Sequence, residues 1–174
     1  MVIVVGTSHP IQMAALELKP FLENLCRQFN VRAVAEELSE EALTEKKCAA
    51  SIPMQVATAL RVPHQFCDPN RAVRAKLEIS QENDIRVQGF PSVLSESEVA
   101  ARLAESHAKR ERYWLEQLRN LDVWPVLFVC GADHVASFCQ ILKREGIAAH
   151  VAAGDWASNN TVERDASKAA RPSP

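Results

Sequence analysis

Short apolar runs that alternate with helix-like segments constrain the fold of this 174-residue chain more than any other feature. A continuous apolar run of this length is typical of a strand that is covered on both faces of a sheet. Such strands, separated by helices, predict a three-layer α/β fold with a mostly parallel sheet flanked by helices. The candidate strands are Val2–Val5, Val31–Ala35, Val62–Cys67, Val126–Cys130 and Ile147–Val151.

Local signals place helices between these strands. Ser95 opens a capping-box pattern that predicts a long amphipathic helix ending near Asn120. Pro10 stands where proline is tolerated at a helix start, and Gly146 is typical of a helix end. Pro20 lies inside the first helical segment, where we expect it to kink the helix.

The length of the chain indicates one domain rather than two. We expect residues 1–156 to form a single α/β domain. Residues 157–174 are rich in Ala, Ser, Asn and Pro and lack periodicity, which predicts a flexible C-terminal tail. Residues 69–94 carry no pattern that assigns them to a helix or a strand.

Composition and charge exclude several functional classes. Hydrophobic residues make up 47% of the chain and charged residues 24%, as in soluble globular domains. A net charge of −2 provides no basic field for nucleic acid or an anionic membrane, so neither partner is expected. No apolar stretch approaches the roughly 18 residues of a membrane span, and we see no signal peptide. With five scattered cysteines that fit reduced thiols, these features favour a cytoplasmic location.

Glycine is scarce, and two of the five glycines open the same pattern, Gly-x-x-His, directly after a candidate strand. Gly6 precedes His9 in this way, and Gly131 precedes His134. Glycine at such a position lets the chain turn sharply or approach a ligand closely. We expect the following helix N-terminus to lower the pKa of each histidine and keep it neutral, the form that binds metals or acts as a general base.

Acidic residues follow two other candidate strands. Glu36 and Glu37 come after the second strand, and Asp68 comes after the third. Because ligands bind beyond the carboxyl ends of parallel strands, we expect these acids to share one edge of the sheet with the histidines. Side chains alternate along a strand, so at most one of Glu36 and Glu37 points into such a site. Asp68 has an alternative role as a turn residue before Pro69, and His64 as a loop histidine.

One arginine lies on the apolar face of the long candidate helix. Arg110 and His107 share the helical spacing of Trp114 and Leu118. A charge on a packing face needs a partner. Arg110 therefore either forms a structural salt bridge or is directed at a site carboxylate or an anionic substrate oxygen.

These residues together resemble a known family. Two Gly-x-x-His motifs near the two ends, an acidic residue after the second strand and an arginine in a late helix are similar to the TraB/Tiki superfamily, with its erythromycin-esterase-like and ChaN-like relatives. The middle segment, residues 51–94, shows no matching pattern. The matching stretches, in the family's order, are Gly6–His9, Ala35–Glu37, Arg110 with Trp114 and Leu118, and Val126–His134.

The resemblance implies an α/β hydrolase acting on a small molecule or a peptide at the carboxyl edge of the sheet. It makes His9 and His134 metal ligands or bases. It makes Glu36 or Glu37 a ligand or base, and Arg110 an anion-stabilising residue. Some relatives resemble metal-dependent peptidases, which implies Zn²⁺ or Mn²⁺ on His9, Glu37 and His134. Erythromycin-esterase-like relatives instead resemble hydrolases that use histidine as a base without a metal.

Two functions of other classes stay open at this point. The same edge suits a ligand-binding or sensory module that holds a phosphate or nucleotide anion without catalysis, although no P-loop is present. Alternatively, the chain is a structural protein with a homo-oligomer interface, in which case the histidines and acids lie apart. Distances above roughly 12 Å among His9, Glu36 or Glu37, and His134 would exclude a shared site.

Overall fold

A five-stranded parallel sheet organises the computed structural model, which describes residues 1–87 and 94–157. The strands are β1 (Val2–Thr7), β2 (Ala33–Glu36), β3 (His64–Phe66), β4 (Val126–Gly131) and β5 (Ala149–Ala153). Their order across the sheet is β3-β2-β4-β1-β5, and every neighbouring pair is parallel. Each strand lies within two residues of its expected bounds.

Helices cover both faces of the sheet, so the three-layer α/β fold expected from the sequence is confirmed. Among the described residues they are α1 (His9–Ala14), α2 (Leu18–Gln28), α3 (Glu40–Glu45), α4 (Ile52–Leu60), α5 (Arg71–Lys76), α6 (Glu82–Val87), α7 (Glu96–Asn120) and α8 (Val135–Arg144). Helices α1, α2 and α4 pack on one face of the sheet, and α7 and α8 pack on the other.

The alternation of side chains along β1 divides the core between these two layers. Ile3 and Val5 contribute to the core beneath α2 and α4, whereas Val2 and Val4 contribute to the core beneath α7 and α8. All four side chains are fully buried. This is why the strand has a continuous apolar run instead of alternating with polar residues.

Local signals account for the ends of several helices. Ser95 and Glu98 form both hydrogen bonds of the capping box at the start of α7. Gly146, with φ of +70°, adopts the left-handed conformation just beyond α8. Pro20 does not kink one long helix, because α1 ends and α2 begins before it. Proline then stands in the first turn of α2, where its missing N–H costs no helical hydrogen bond.

The first Gly-x-x-His motif requires its glycine for packing. A Cβ atom at Gly6 would lie 2.0 Å from the carbonyl oxygen of Gly154. No side chain fits there, and the end of β1 therefore packs directly against the chain that follows β5.

Two further expectations concern the extent of the chain. The tail expected over residues 157–174 lies outside the described residues from residue 158 onward, so it stays a prediction, as does the single domain over residues 1–156. Among the helices described, none is long and apolar enough to cross a membrane.

Candidate functional site

The carboxyl ends of the strands open into a cavity of about 750 Å³. Residues that follow β1, β2, β3 and β4 line it, together with one face of α7. The structure thus brings most of the expected site residues to one place. Those that line the cavity are His9, Glu37, Asp68, Arg110 and His134.

Glu37 lies at the centre of this group, and its side chain is only 2% exposed. Its Oε1 accepts a hydrogen bond from Arg110 Nη2 at 2.7 Å, and its Oε2 accepts one from the backbone N–H of Gly131 at 2.6 Å. Nε2 of His9 lies 3.5 Å from Oε1, and Nε2 of His134 lies 3.7 Å from it. The two histidines and the acid therefore do not lie apart, as the structural-protein interpretation required.

The surroundings of Glu37 keep its carboxylate ionised. Burial by itself would raise the pKa of this group. The hydrogen bond with His9 and the Coulomb attraction of Arg110 and His134 outweigh burial and lower the pKa to about 2. Glu37 thus provides a permanent negative charge at the floor of the cavity.

His9 is the more accessible of the two imidazoles, with 46% of its side chain exposed. Its pKa is raised, because the hydrogen bond with Glu37 favours the protonated ring more than burial disfavours it. The expectation that a helix N-terminus lowers the pKa of His9 is therefore wrong. Helix α1 has only six residues, and a full carboxylate charge in contact outweighs the partial charge of a helix end.

His134 is held by a second carboxylate. Its Nδ1 lies 2.8 Å from Glu111 Oε1, and the Ser137 hydroxyl donates to the same oxygen at 2.6 Å. Nδ1 thus faces Glu111, and Nε2 is the ring nitrogen that faces Glu37. The indole of Trp114 packs edge-on against this imidazole, with ring centroids 4.9 Å apart. The ring is thus fixed by a hydrogen bond and by packing.

Arg110 joins Glu37 to Asp68. Its Nη2 lies 2.8 Å from Asp68 Oδ1, and its Nε lies 3.1 Å from the same oxygen. The indole N–H of Trp114 also donates to this oxygen, and Arg74 pairs with the other one. Arg110 therefore forms a salt bridge with two carboxylates that line the cavity, and its role toward a substrate stays a prediction. Asp68 does more than end a turn, since it anchors the arginine.

Glu36 faces the opposite side of the sheet from Glu37, as alternation along β2 requires. It is fully buried, and its Oε1 accepts a hydrogen bond from Ser51 and lies 2.7 Å from Nε2 of His64. Neither Glu36 nor His64 lines the cavity. The position of Glu36 therefore lends no support to a catalytic role for this residue, and Glu37 is the glutamate of the pair that lines the cavity.

Glu111 is the main site residue that the sequence analysis missed. It follows His107 by four residues and precedes Trp114 by three, so helical spacing already places it on the buried face of α7. A buried acid at that spacing needs a partner, and this signal points to it. The backbone N–H of Gly131 has no comparable signal, since almost every residue type carries one.

The donor set does not fit a resident metal ion as it stands. Both oxygens of Glu37 accept N–H hydrogen bonds, and a cation between His9 and His134 would lie beside the charge of Arg110. Within residues 1–87 and 94–157, no group of three or more His, Cys, Asp or Glu side chains is placed to hold a metal. Zn²⁺ or Mn²⁺ on His9, Glu37 and His134 stays a prediction.

Comparison with known proteins finds no relative of this chain. No family model matches the chain, and neither the curated proteins nor the solved structures provide a match. The similarity to the TraB/Tiki superfamily therefore depends on the motifs of this chain alone.

Proposed function

We propose that the chain is a small hydrolase that cleaves an ester or amide bond with histidine as the base. One observation carries this proposal: two imidazole Nε2 atoms from different strand ends lie within 3.7 Å of the same buried carboxylate oxygen. All three groups line one open cavity. A base beside an orienting carboxylate is the arrangement that activates water for attack on a carbonyl carbon.

His9 is the proposed general base. It is the more exposed imidazole, and its raised pKa makes it a stronger base than a free histidine. Glu37 engages one ring nitrogen, which leaves the other to take a proton from water as the water oxygen attacks. The proton then passes from His9 to the leaving group, and the ring returns to its neutral form.

His134 is proposed to orient the attacking water beside His9. Glu111 holds its Nδ1 at 2.8 Å, so the ring keeps one orientation. A ring nitrogen fixed in this way holds a water molecule without any movement of the side chain.

Arg110 is proposed to stabilise negative charge on the substrate oxygen. Its Nε and Nη2 are engaged by Glu37 and Asp68. Within the described part of the chain, its Nη1 donates no hydrogen bond. The two N–H groups of Nη1 are therefore free to donate to a substrate oxygen that becomes negatively charged in the transition state.

The charges of the cavity favour this function over storage of a phosphate-type anion. Its three arginines are all ion-paired with carboxylates that also line the cavity. Carboxylates outnumber cationic side chains along the described lining. The carboxylates are Glu37, Glu41, Glu45, Asp68, Glu82, Asp133 and Asp155, and the cations are Lys46, Arg71, Arg74 and Arg110.

Membership of the TraB/Tiki superfamily is part of the proposal. The residues that support it are those of the cavity: His9 and His134 from the two Gly-x-x-His motifs, Glu37 after β2, and Arg110 on α7. A cytoplasmic location and a homo-oligomer are further expectations that these contacts do not address.

The test is hydrolysis of a panel of ester and amide probes by the wild-type chain and by His9→Ala and His134→Ala. We expect each substitution to lower kcat/KM by about 100-fold or more, as removal of a general base or its orienting partner does. His150→Ala is the matched control, because His150 is exposed and lies outside the cavity. It should retain the wild-type rate.

The metal content of protein purified without added metal is measured alongside. Activity that persists after chelation supports the histidine-base mechanism. Activity that is lost on chelation and restored by Zn²⁺ or Mn²⁺ would replace it with the metal-dependent one. Hydrolysis that is equal in the wild type and in His9→Ala would reject the site.

A further inference from the structure

A third imidazole lines the cavity, and the proposed mechanism leaves it without a role. His107 lies on α7, and its half-buried ring packs against that of His134, with centroids 4.4 Å apart. Within residues 1–87 and 94–157, neither ring nitrogen of His107 forms a hydrogen bond with the protein. A polar ring in the wall of a candidate active site, with both nitrogens unused by the protein, can bind a substrate group directly.

The spacing along α7 places His107 beside the other groups of the site. Arg110 follows it by three residues, so the two side chains share one face of the helix. Arg110 Nη2 lies 2.7 Å from Glu37 Oε1, and Nε2 of His134 lies 3.7 Å from the same oxygen. Because His107 packs on the ring of His134, these three side chains border one part of the cavity.

The surroundings of His107 favour its neutral form. Burial lowers the pKa of this imidazole, and the positive charges of His134 and Arg110 lower it further. The ring is therefore a weaker base than His9, whose pKa is raised, and a second general base is not the role that these surroundings favour. A neutral imidazole still carries one N–H group that donates a hydrogen bond, whichever tautomer is present.

A neutral N–H donor of this kind suits the oxygen that Arg110 is proposed to stabilise. Attack of water on a carbonyl carbon concentrates negative charge on the carbonyl oxygen, and fixed hydrogen-bond donors lower the free energy of that state. A neutral imidazole with a lowered pKa polarises a carbonyl group without adding a second full positive charge beside the guanidinium.

We propose that His107 is a further catalytic residue, which donates a hydrogen bond to the substrate carbonyl oxygen together with Arg110. This role rests on the proposed hydrolysis. The proton stays on His107 throughout, so the proton balance of the reaction is unchanged: His9 moves the proton of the water molecule, and two side chains of α7 bind the oxygen.

The test compares hydrolysis of the ester probes by the wild type, His107→Phe and His107→Gln. Phenylalanine keeps an aromatic ring beside His134 but donates no hydrogen bond, so we expect kcat to fall by about 100-fold and KM to stay within about twofold. The amide of glutamine donates again, and His107→Gln should recover about tenfold of that loss. His150→Phe is the matched control, because His150 also packs on an aromatic ring and lies outside the cavity; it should retain the wild-type rate.

A second measurement separates binding of the transition state from packing. A phosphonate analogue of the best ester probe carries a tetrahedral anionic group, as the transition state does. We expect His107→Phe to weaken binding of this analogue by about the factor by which kcat/KM falls. His107→Leu removes the donor with a smaller side chain, so it gives the same comparison if His107→Phe does not fold.

The outcomes distinguish this role from the function on which it rests. Hydrolysis that requires His9 but proceeds with the wild-type kcat in His107→Phe or His107→Leu would overturn the role of His107 and leave the function standing. A loss that appears only in KM would overturn it as well. A chain that hydrolyses no probe, or that is equally active after His9→Ala, would reject the proposed function and this role with it.

Discussion

Glu37 is the residue that the other groups of the candidate site contact. It accepts hydrogen bonds from Arg110 and from the backbone of Gly131, and both imidazoles face it. A charge this deeply buried persists only because these partners compensate for the lost hydration. We therefore expect loss of that charge to lower the stability of the fold as well as the rate of the proposed hydrolysis.

We expect protonation of Glu37 at acidic pH to lower the free energy of unfolding. The pKa of this group is about 2 in the folded chain against 4.5 for the free side chain, so its contribution is fully present above pH 4.5 and is lost as the pH falls toward 2. The difference corresponds to roughly 3 kcal/mol of unfolding free energy. Urea unfolding of the wild type and of Glu37→Gln between pH 7 and pH 2 measures it.

The amide of Glu37→Gln cannot titrate, so this variant should be less stable at pH 7 and should lose less stability on acidification. Other carboxylates contribute equally to both proteins, and the difference between the two curves isolates Glu37. Parallel curves below pH 4.5 would show that the charge of Glu37 does not stabilise the fold.

At the scale of elements, the turns after β1 and β4 decide where the two histidines lie. Each turn follows a strand of the sheet centre, and β1 and β4 are neighbours with Thr7 paired to Gly131. The end of β1 also packs against the chain beyond β5, so closely that a side chain at Gly6 would overlap the backbone of Gly154. We expect a substitution that separates these strand ends to displace His9.

Gly6→Ala tests this packing. Its Cβ would meet the backbone of Gly154, which cannot move aside as a flexible side chain would, so we expect the free energy of unfolding to fall by about 3 kcal/mol. Gly154→Ala is the control, because a Cβ there meets no atom within 4 Å. Urea unfolding of both variants provides the comparison, and equal stabilities would refute the close approach.

At the scale of the whole molecule, charge is distributed unevenly. The chain carries a net charge of only −2, yet carboxylates dominate the described lining of the cavity, and its arginines are already ion-paired. Walls of one sign focus the field into a cleft and select the charge of what enters it. If the chain is the proposed hydrolase, we expect this excess of carboxylates to favour neutral or cationic substrates.

Among esters matched in size, we expect the anionic member to have a kcat/KM about tenfold below that of the neutral or cationic member at low salt. The ratio should shrink at about 0.5 M salt, where the Debye length is only a few ångströms. Steady-state kinetics at two ionic strengths provides the measurement. Preference for the anionic ester would instead support the anion-binding interpretation of this edge.

Much of the architecture was predictable because its determinants are local. The buried strands follow from continuous apolar runs, and the start of α7 follows from Ser95 and Glu98, three residues apart. The kink expected at Pro20 was wrong, since the same residue fits the first turn of a new helix equally well. Local patterns alone do not separate these two uses of proline.

The sequence alone therefore determines the α/β class, the parallel sheet and the delivery of two histidines to one edge, since periodicity and turn residues act over a few positions. Only the tertiary structure decides that Glu37 and not Glu36 lines the cavity, that Glu111 holds His134, and that Arg110 joins two carboxylates. These contacts link residues 23 to 94 positions apart in the chain. Buried charges select such partners only after the chain has packed, because the free energy of an ion pair depends on distance and on removal from water.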